Sequence, residues 1–206
     1  LAVSDRRPRV CRSGPSVAPV PFSMVEKGFT VRANPLGKFP VSAGILFGLG
    51  LGGFFDGIVL HQLLQWHHMV SSWYPPTTVE NLRLNTLWDG IFHSATYVFV
   101  VLALHRLWRV AHRGHIYWSG RLIWGTALMG WGAFNLVEGV IDHHLLGIHH
   151  VNEVVAVVHR PYWDAGFLIW GAAMLIAGGW LWRSGIHEHR VRAAHLRVMS
   201  APIGGD

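Results

Sequence analysis

Asp56-Gly57-Ile58-Val59-Leu60-His61-Gln62-Leu63-Leu64-Gln65-Trp66-His67-His68 decides the reading of this chain, because it occurs twice. Glu138-Gly139-Val140-Ile141-Asp142-His143-His144-Leu145-Leu146-Gly147-Ile148-His149-His150 follows 82 residues later. Each copy runs acid, Gly, two branched aliphatics, His, Leu-Leu, His-His. Six of the thirteen positions are identical, and the acid and both aliphatics keep their chemistry. Three histidines and an acid at equal offsets point to an internal duplication. Trp88-Asp89 and Trp163-Asp164 correspond too, at an offset of 75, so the repeat unit is a helix pair with a shorter second loop.

At ~100° per residue an α-helix puts His61 and His68 on one face, and Asp56 with His67 on another. The second copy places His143 with His150, and Glu138 with Asp142 and His149. Imidazole and carboxylate together suit Zn, Cu or Fe. The bland alternative is a duplicated helix whose polar groups bond one another across a bundle.

Composition sets the solvent. Hydrophobic residues make up 51% of the chain and charged residues only 14%, where a soluble domain carries about 25% charged. The apolar residues come in long runs, so the expected class is all-α integral membrane. One cysteine, Cys11, leaves no intrachain disulfide and no thiolate metal site. The pI near 10.2 comes from basic residues that flank apolar runs, which argues for membrane topology and against nucleic acid.

The expected organisation is four transmembrane helices in two tandem pairs. Residues 1–38 read as a disordered basic tail, of which 1–23 precede Met24, a methionine with the look of a start codon. Residues 39–185 read as the transmembrane domain and 186–206 as a cytoplasmic tail. The spans are expected near 41–66, 84–108, 122–148 and 162–182. Gly44, Gly48 and Gly52, with Gly53 and Gly57, form small-residue ridges for close helix approach. Seven basic residues precede the first span. Arg106, Arg109, Arg113 and Arg121 lie between or flanking the second and third, and Arg183, Arg190, Arg192 and Arg197 follow the fourth. The other two loops hold Arg83 and Arg160 alone. The positive-inside rule then puts both termini in the cytoplasm.

That orientation gathers Asp56, His61, His67, His68, Asp89, His93, Glu138, Asp142, His143, His144, His149, His150 and Asp164 in the outer half of the membrane or at its rim. His105, His112, His115, His187, His189 and His195 fall on the other side. The halves diverge: Leu60 and Gln62 stand where the second copy has Asp142 and His144, and Leu168 stands where the first has His93. The pattern predicts a shared centre for copper, iron or zinc, with His61, Asp89, His93, Glu138, His143 and His149 as leading ligands. His67, His68, His144 and His150 are placed at its rim. A haem b cytochrome and a non-catalytic proton path or assembly subunit are the alternatives. A serine hydrolase has only Ser94 to offer. The lipid bilayer is the expected partner, with a second membrane protein or a second copy of the chain as further ones.

The run Gly52-Gly53-Phe54-Phe55-Asp56-Gly57, continuing to His61-Gln62-Leu63-Leu64-Gln65-Trp66-His67-His68-Met69, resembles the bacterial membrane family called domain of unknown function 2243. Leu87-Trp88-Asp89-Gly90-Ile91-Phe92-His93 and the second His-rich copy fit it as well. The resemblance covers about residues 38–183. It implies a multi-span protein of the bacterial inner membrane and no mechanism. The spacing of Asp89 and His93 is also similar to an Asp-x-x-x-His pair in the C subunit of copper membrane monooxygenases, which keeps copper among the candidate metals.

Overall fold

The structure, a computed structural model, describes residues 38–113 and 117–199. Of the expected tails, 1–38 and 186–206, residues 1–37 and 200–206 lie outside the described residues. Helix α1 spans Val41–Phe54 and continues as a π-helix over Phe55–Leu63. Helix α2 spans Val79–Arg113. Helix α3 spans Gly120–Glu138 and continues as a π-helix over Gly139–Leu146. A 3-10 turn at Val157–His159 leads into α4, Arg160–Met199. No strand occurs among the described residues.

Local chemistry sets the starts. Thr78 follows the Pro75-Pro76 turn, and its Oγ1 accepts the Asn81 N–H at 3.2 Å, capping the head of α2. Pro161 lies in the first turn of α4, where its missing N–H costs nothing. The expected tail from residue 186 is not set off by a break, since α4 runs on unbroken to Met199.

Helices α1 and α3 pack against each other, with α2 flanking α1 and α4 flanking α3. Small residues make this approach possible. A Cβ on Gly48 would collide with the Ala127 carbonyl, and one on Gly130 with the Ile45 carbonyl. Gly125 meets Gly178, and Gly132 meets Gly171, in the same way between α3 and α4. On the other side of α1, Gly53 abuts Thr96 and Gly57 abuts the His93 ring of α2.

The burial pattern is the reverse of a soluble core. Asp56, His61, Asn85, Asp89, Thr126, Asn135, Glu138, His143, His149 and Asp164 are buried. Ile169, Ile176, Trp180, Leu87, Leu104 and Trp124 are exposed. An apolar exterior of this extent needs a lipid solvent. Among the described residues, three stretches are long and apolar enough to cross a membrane: Val41–Leu63, Val79–Arg113 and Val157–Met199. Helix α3 is not among them. It lies between α1 and α4 and carries Arg121, Asn135 and Glu138.

Candidate metal centre

Both histidine-rich copies leave the α-helical path at the acid. In an α-helix, side chains five apart stand about 140° apart around the axis. A π-helix bonds residue i to i+5 and so brings such side chains together, and it occurs frequently at functional sites. Phe55–Leu63 therefore sets His61 against Asp56, with Nε2 2.9 Å from Oδ2. Gly139–Leu146 does the same for Glu138 and His143.

The helix ends at Leu63 in the first copy and at Leu146 in the second. This corrects the helical-stripe reading: His67, His68, His149 and His150 are on loops, so His61 does not share a helix face with His68, nor His143 with His150. The loops fold back over the bundle. His67 Nε2 returns to 3.8 Å from Asp56 Oδ1, and His149 Nε2 to 3.7 Å from Glu138 Oε1. Two triads result, Asp56–His61–His67 and Glu138–His143–His149. Within each, one candidate donor atom per residue lies within 4.8 Å of the others, and all six residues are buried.

The triads share a wall. The His67 and His149 rings stack with centroids 4.5 Å apart and planes 7° from parallel. His61 meets His67 at 4.4 Å and His143 meets His149 at 4.8 Å, both edge to face. The loops that carry His67 and His149 hold each other reciprocally. His67 Nδ1 donates to the Val151 carbonyl at 2.9 Å, and His149 Nδ1 to the Met69 carbonyl at 3.0 Å. Backbone bonds from Ser72 N to Ile148 O and from Glu153 N to Trp66 O, each 2.9 Å, stitch the loops further. Ser72 Oγ also donates to Glu153 Oε1.

These bonds fix the ring tautomers. With Nδ1 donating to a carbonyl, Nε2 of His67 and of His149 carries a lone pair. Burial lowers the pKa of both imidazoles from 6.5, so they are neutral at pH 7. His61 Nδ1 donates to Asp89 Oδ1 at 2.9 Å, and its Nε2 lies 2.9 Å from Asp56 Oδ2.

Asp89 and Asp164 stand behind the triads. Asp89 accepts from His61 Nδ1, from His68 Nδ1 at 2.7 Å and from the Met69 N–H at 2.9 Å. Asp164 accepts from His150 Nδ1 at 2.7 Å and from the Val151 N–H at 3.0 Å, and its Oδ1 is 3.8 Å from His143 Nδ1. A carboxylate behind a histidine is the usual partner of a metal-bound imidazole.

The other expected site residues fall outside the triads. His93 donates Nδ1–H to its own helix at the Asp89 carbonyl and lies against Gly57. His144 is exposed and bonds the Gly139 carbonyl. Asp142 is half-buried, and its backbone carbonyl accepts the Ile148 N–H. Sequence reasoning missed the Val151 and Met69 carbonyls, since a backbone acceptor leaves no trace in residue type. It also missed Glu153, whose polarity within an apolar segment was a usable signal.

Among the described residues, Asp56 Oδ1, both carboxylate oxygens of Glu138 and Nε2 of His67, His143 and His149 lack a hydrogen-bond partner, while Asp56 Oδ2 and His61 Nε2 meet each other at 2.9 Å. All eight atoms are buried. Orphaned buried acceptors on this scale cost ~1–3 kcal/mol each, more for charged groups. Native interiors rarely tolerate them without an ion or water.

The family profile described as "Predicted membrane protein (DUF2243)" matches residues 43–185. The chain belongs to this family. The matched span contains both triads, both supporting aspartates, α2, α3 and all but the first two residues of α1. DUF2243 is a membrane protein family of unknown function. Neither a curated protein nor a solved structure matches the chain.

Proposed function

We propose that this DUF2243 protein is a multi-pass bacterial inner-membrane protein that holds transition-metal ions between two histidine–carboxylate triads, for redox chemistry or metal handling. The observation that carries this reading is the convergence of eight buried carboxylate and imidazole atoms on two adjoining points. Each triad offers two imidazoles and one carboxylate. That set is used for zinc and for non-haem iron with positions left for water or substrate, and imidazole also suits copper. Asp56 and Glu138 would supply negative charge, His61, His67, His143 and His149 neutral nitrogen. Asp89 and Asp164 would orient the rings from behind.

The arrangement also supports a duplicated helix pair. Residues 56, 61, 67, 68 and 69 have the same roles as 138, 143, 149, 150 and 151, and Asp89 has the role of Asp164. In this reading α3, shielded by α1 and α4, crosses the membrane with the other three helices, and a pseudo-twofold axis lies along the membrane normal. Both termini are cytoplasmic, and the triads lie toward the outside. With Cys11 replaced, an impermeant thiol reagent should modify Val154→Cys from outside and spare Arg113→Cys. Labelling of Arg113→Cys from outside overturns the topology.

The haem alternative fits less well, because the candidate axial rings pack on one another and leave no slot for a porphyrin. X-ray absorption of the purified protein tests the ligand set. Light-atom donors at about 2.0–2.2 Å with imidazole outer shells support the triads. A porphyrin signature, or a sulfur shell, overturns them.

A further inference from the structure

The two triads differ in what stands beside them. A cleft of about 790 Å³ opens beside the first, with His61, His67, His68, Gln62, Gln65 and Glu153 in its lining. No residue of the second triad lines it. The second triad has an apolar neighbour instead. Phe167 packs 5.4 Å from the His143 ring, and together with Val151, Phe55 and Trp170 it lines a groove of about 340 Å³. Water and hydrated ions enter a polar cleft readily and an apolar groove at a high desolvation cost.

Gln65 points the same way independently. Its φ is 50°, in the left-handed region that disfavours a side chain. The matching residue 82 positions on is Gly147, with φ 57°. The same turn is therefore made by glycine beside the second triad, and by a strained glutamine beside the first. Strain of this kind is held mainly at functional sites. Here the retained side chain lines the cleft.

We propose that the first triad is the exchangeable, ligand-accepting metal position and that the second holds its ion closed. This rests on the metal reading above. Asp56, His61 and His67 supply three donors. Small hydrophilic ligands bearing oxygen or nitrogen donors reach a further coordination position through the cleft, where the Gln65 amide hydrogen-bonds them. Binding is coordination alone, with no bond broken.

The test uses the full chain in detergent, loaded with Co(II), whose visible bands report coordination. Excess EDTA should remove two cobalt ions in two phases, the first at least about tenfold faster, since release from the closed site awaits local opening. His61→Ala should abolish the fast phase, and His143→Ala the slow one. Azide should shift the bands of the fast site only. Gln65→Gly should keep both ions and melt no lower, yet weaken azide by about tenfold, the effect of one hydrogen bond. A single phase with two ions per chain overturns this proposal alone, as does a fast phase lost in His143→Ala, an azide response from the slow site or none at all. Unchanged azide binding in Gln65→Gly overturns the assigned role of that residue. A chain that takes up no cobalt overturns the metal reading and this proposal together.

Discussion

Asp89→Asn removes one negative charge while keeping the side chain's shape. Asp89 accepts three hydrogen bonds, from the His61 ring, the His68 ring and the Met69 N–H. Asparagine has one acceptor oxygen, and its NH₂ would confront a ring N–H or a backbone N–H. Relief would turn the His61 ring away from residue 89 and disturb the 2.9 Å approach of its Nε2 to Asp56. Loss of such a supporting carboxylate typically costs about 10–100-fold in metal affinity, or roughly 1.4–2.7 kcal/mol. Asp164→Asn should cost less, because its oxygen stands 3.8 Å from His143 Nδ1. Both affinities are measured by competition with a chromogenic chelator on detergent-purified protein, with helical content checked by circular dichroism. A folded Asp89→Asn variant that binds metal within about twofold of the wild type would refute the reasoning, since about 0.4 kcal/mol is too little for a lost charge-assisted bond.

Further outcomes follow from the same geometry. Gly48→Ala should lower the melting temperature in detergent by forcing α1 off α3, at a cost of about 1–3 kcal/mol. Gly179→Ala, with open space around its Cα, should be neutral. His93→Leu copies the residue at the matching position 168 and should leave the metal content unchanged, as should His144→Ala; inductively coupled plasma mass spectrometry reads both. Stability of the metal-free protein should fall as pH drops below about 6.5. His67 and His149 are held neutral by burial while the unfolded chain takes up protons there. The unfolded state thus binds more protons, and the stability present above pH 6.5 is lost toward acid. Thermal melts between pH 8 and pH 5 check the sign, and melting that improves toward pH 5 would contradict it.

The helices, their apolar exterior and the small-residue ridges were legible in the sequence because composition and period encode them directly. The residues that form the triads stand out in the sequence too, as the repeated acid, His and His-His. Their grouping does not. The α-helical period separates Asp56 from His61 and Glu138 from His143, whereas the π-helical segments join them. No residue type announces a π-helix, although the equal five-residue spacing in both copies was a clue. His67 and His149 reach their triads by loop reversal, and each is held by a carbonyl of the other loop. Such long-range backbone bonds follow from packing and have no local signal. Asp89 and His93 looked like one unit at four residues' spacing. The structure divides them, with Asp89 turned to His61 and His93 turned to Gly57.

The most direct test of a metal centre is elemental analysis of the full chain, purified in mild detergent and loaded with copper, iron or zinc in turn. At least one of these ions should be retained through gel filtration. The double variant Asp56→Asn with Glu138→Gln, still helical and still in the membrane fraction, should retain none. Wild-type protein that keeps no ion after loading, or a double variant that keeps the full complement, would contradict the metal reading.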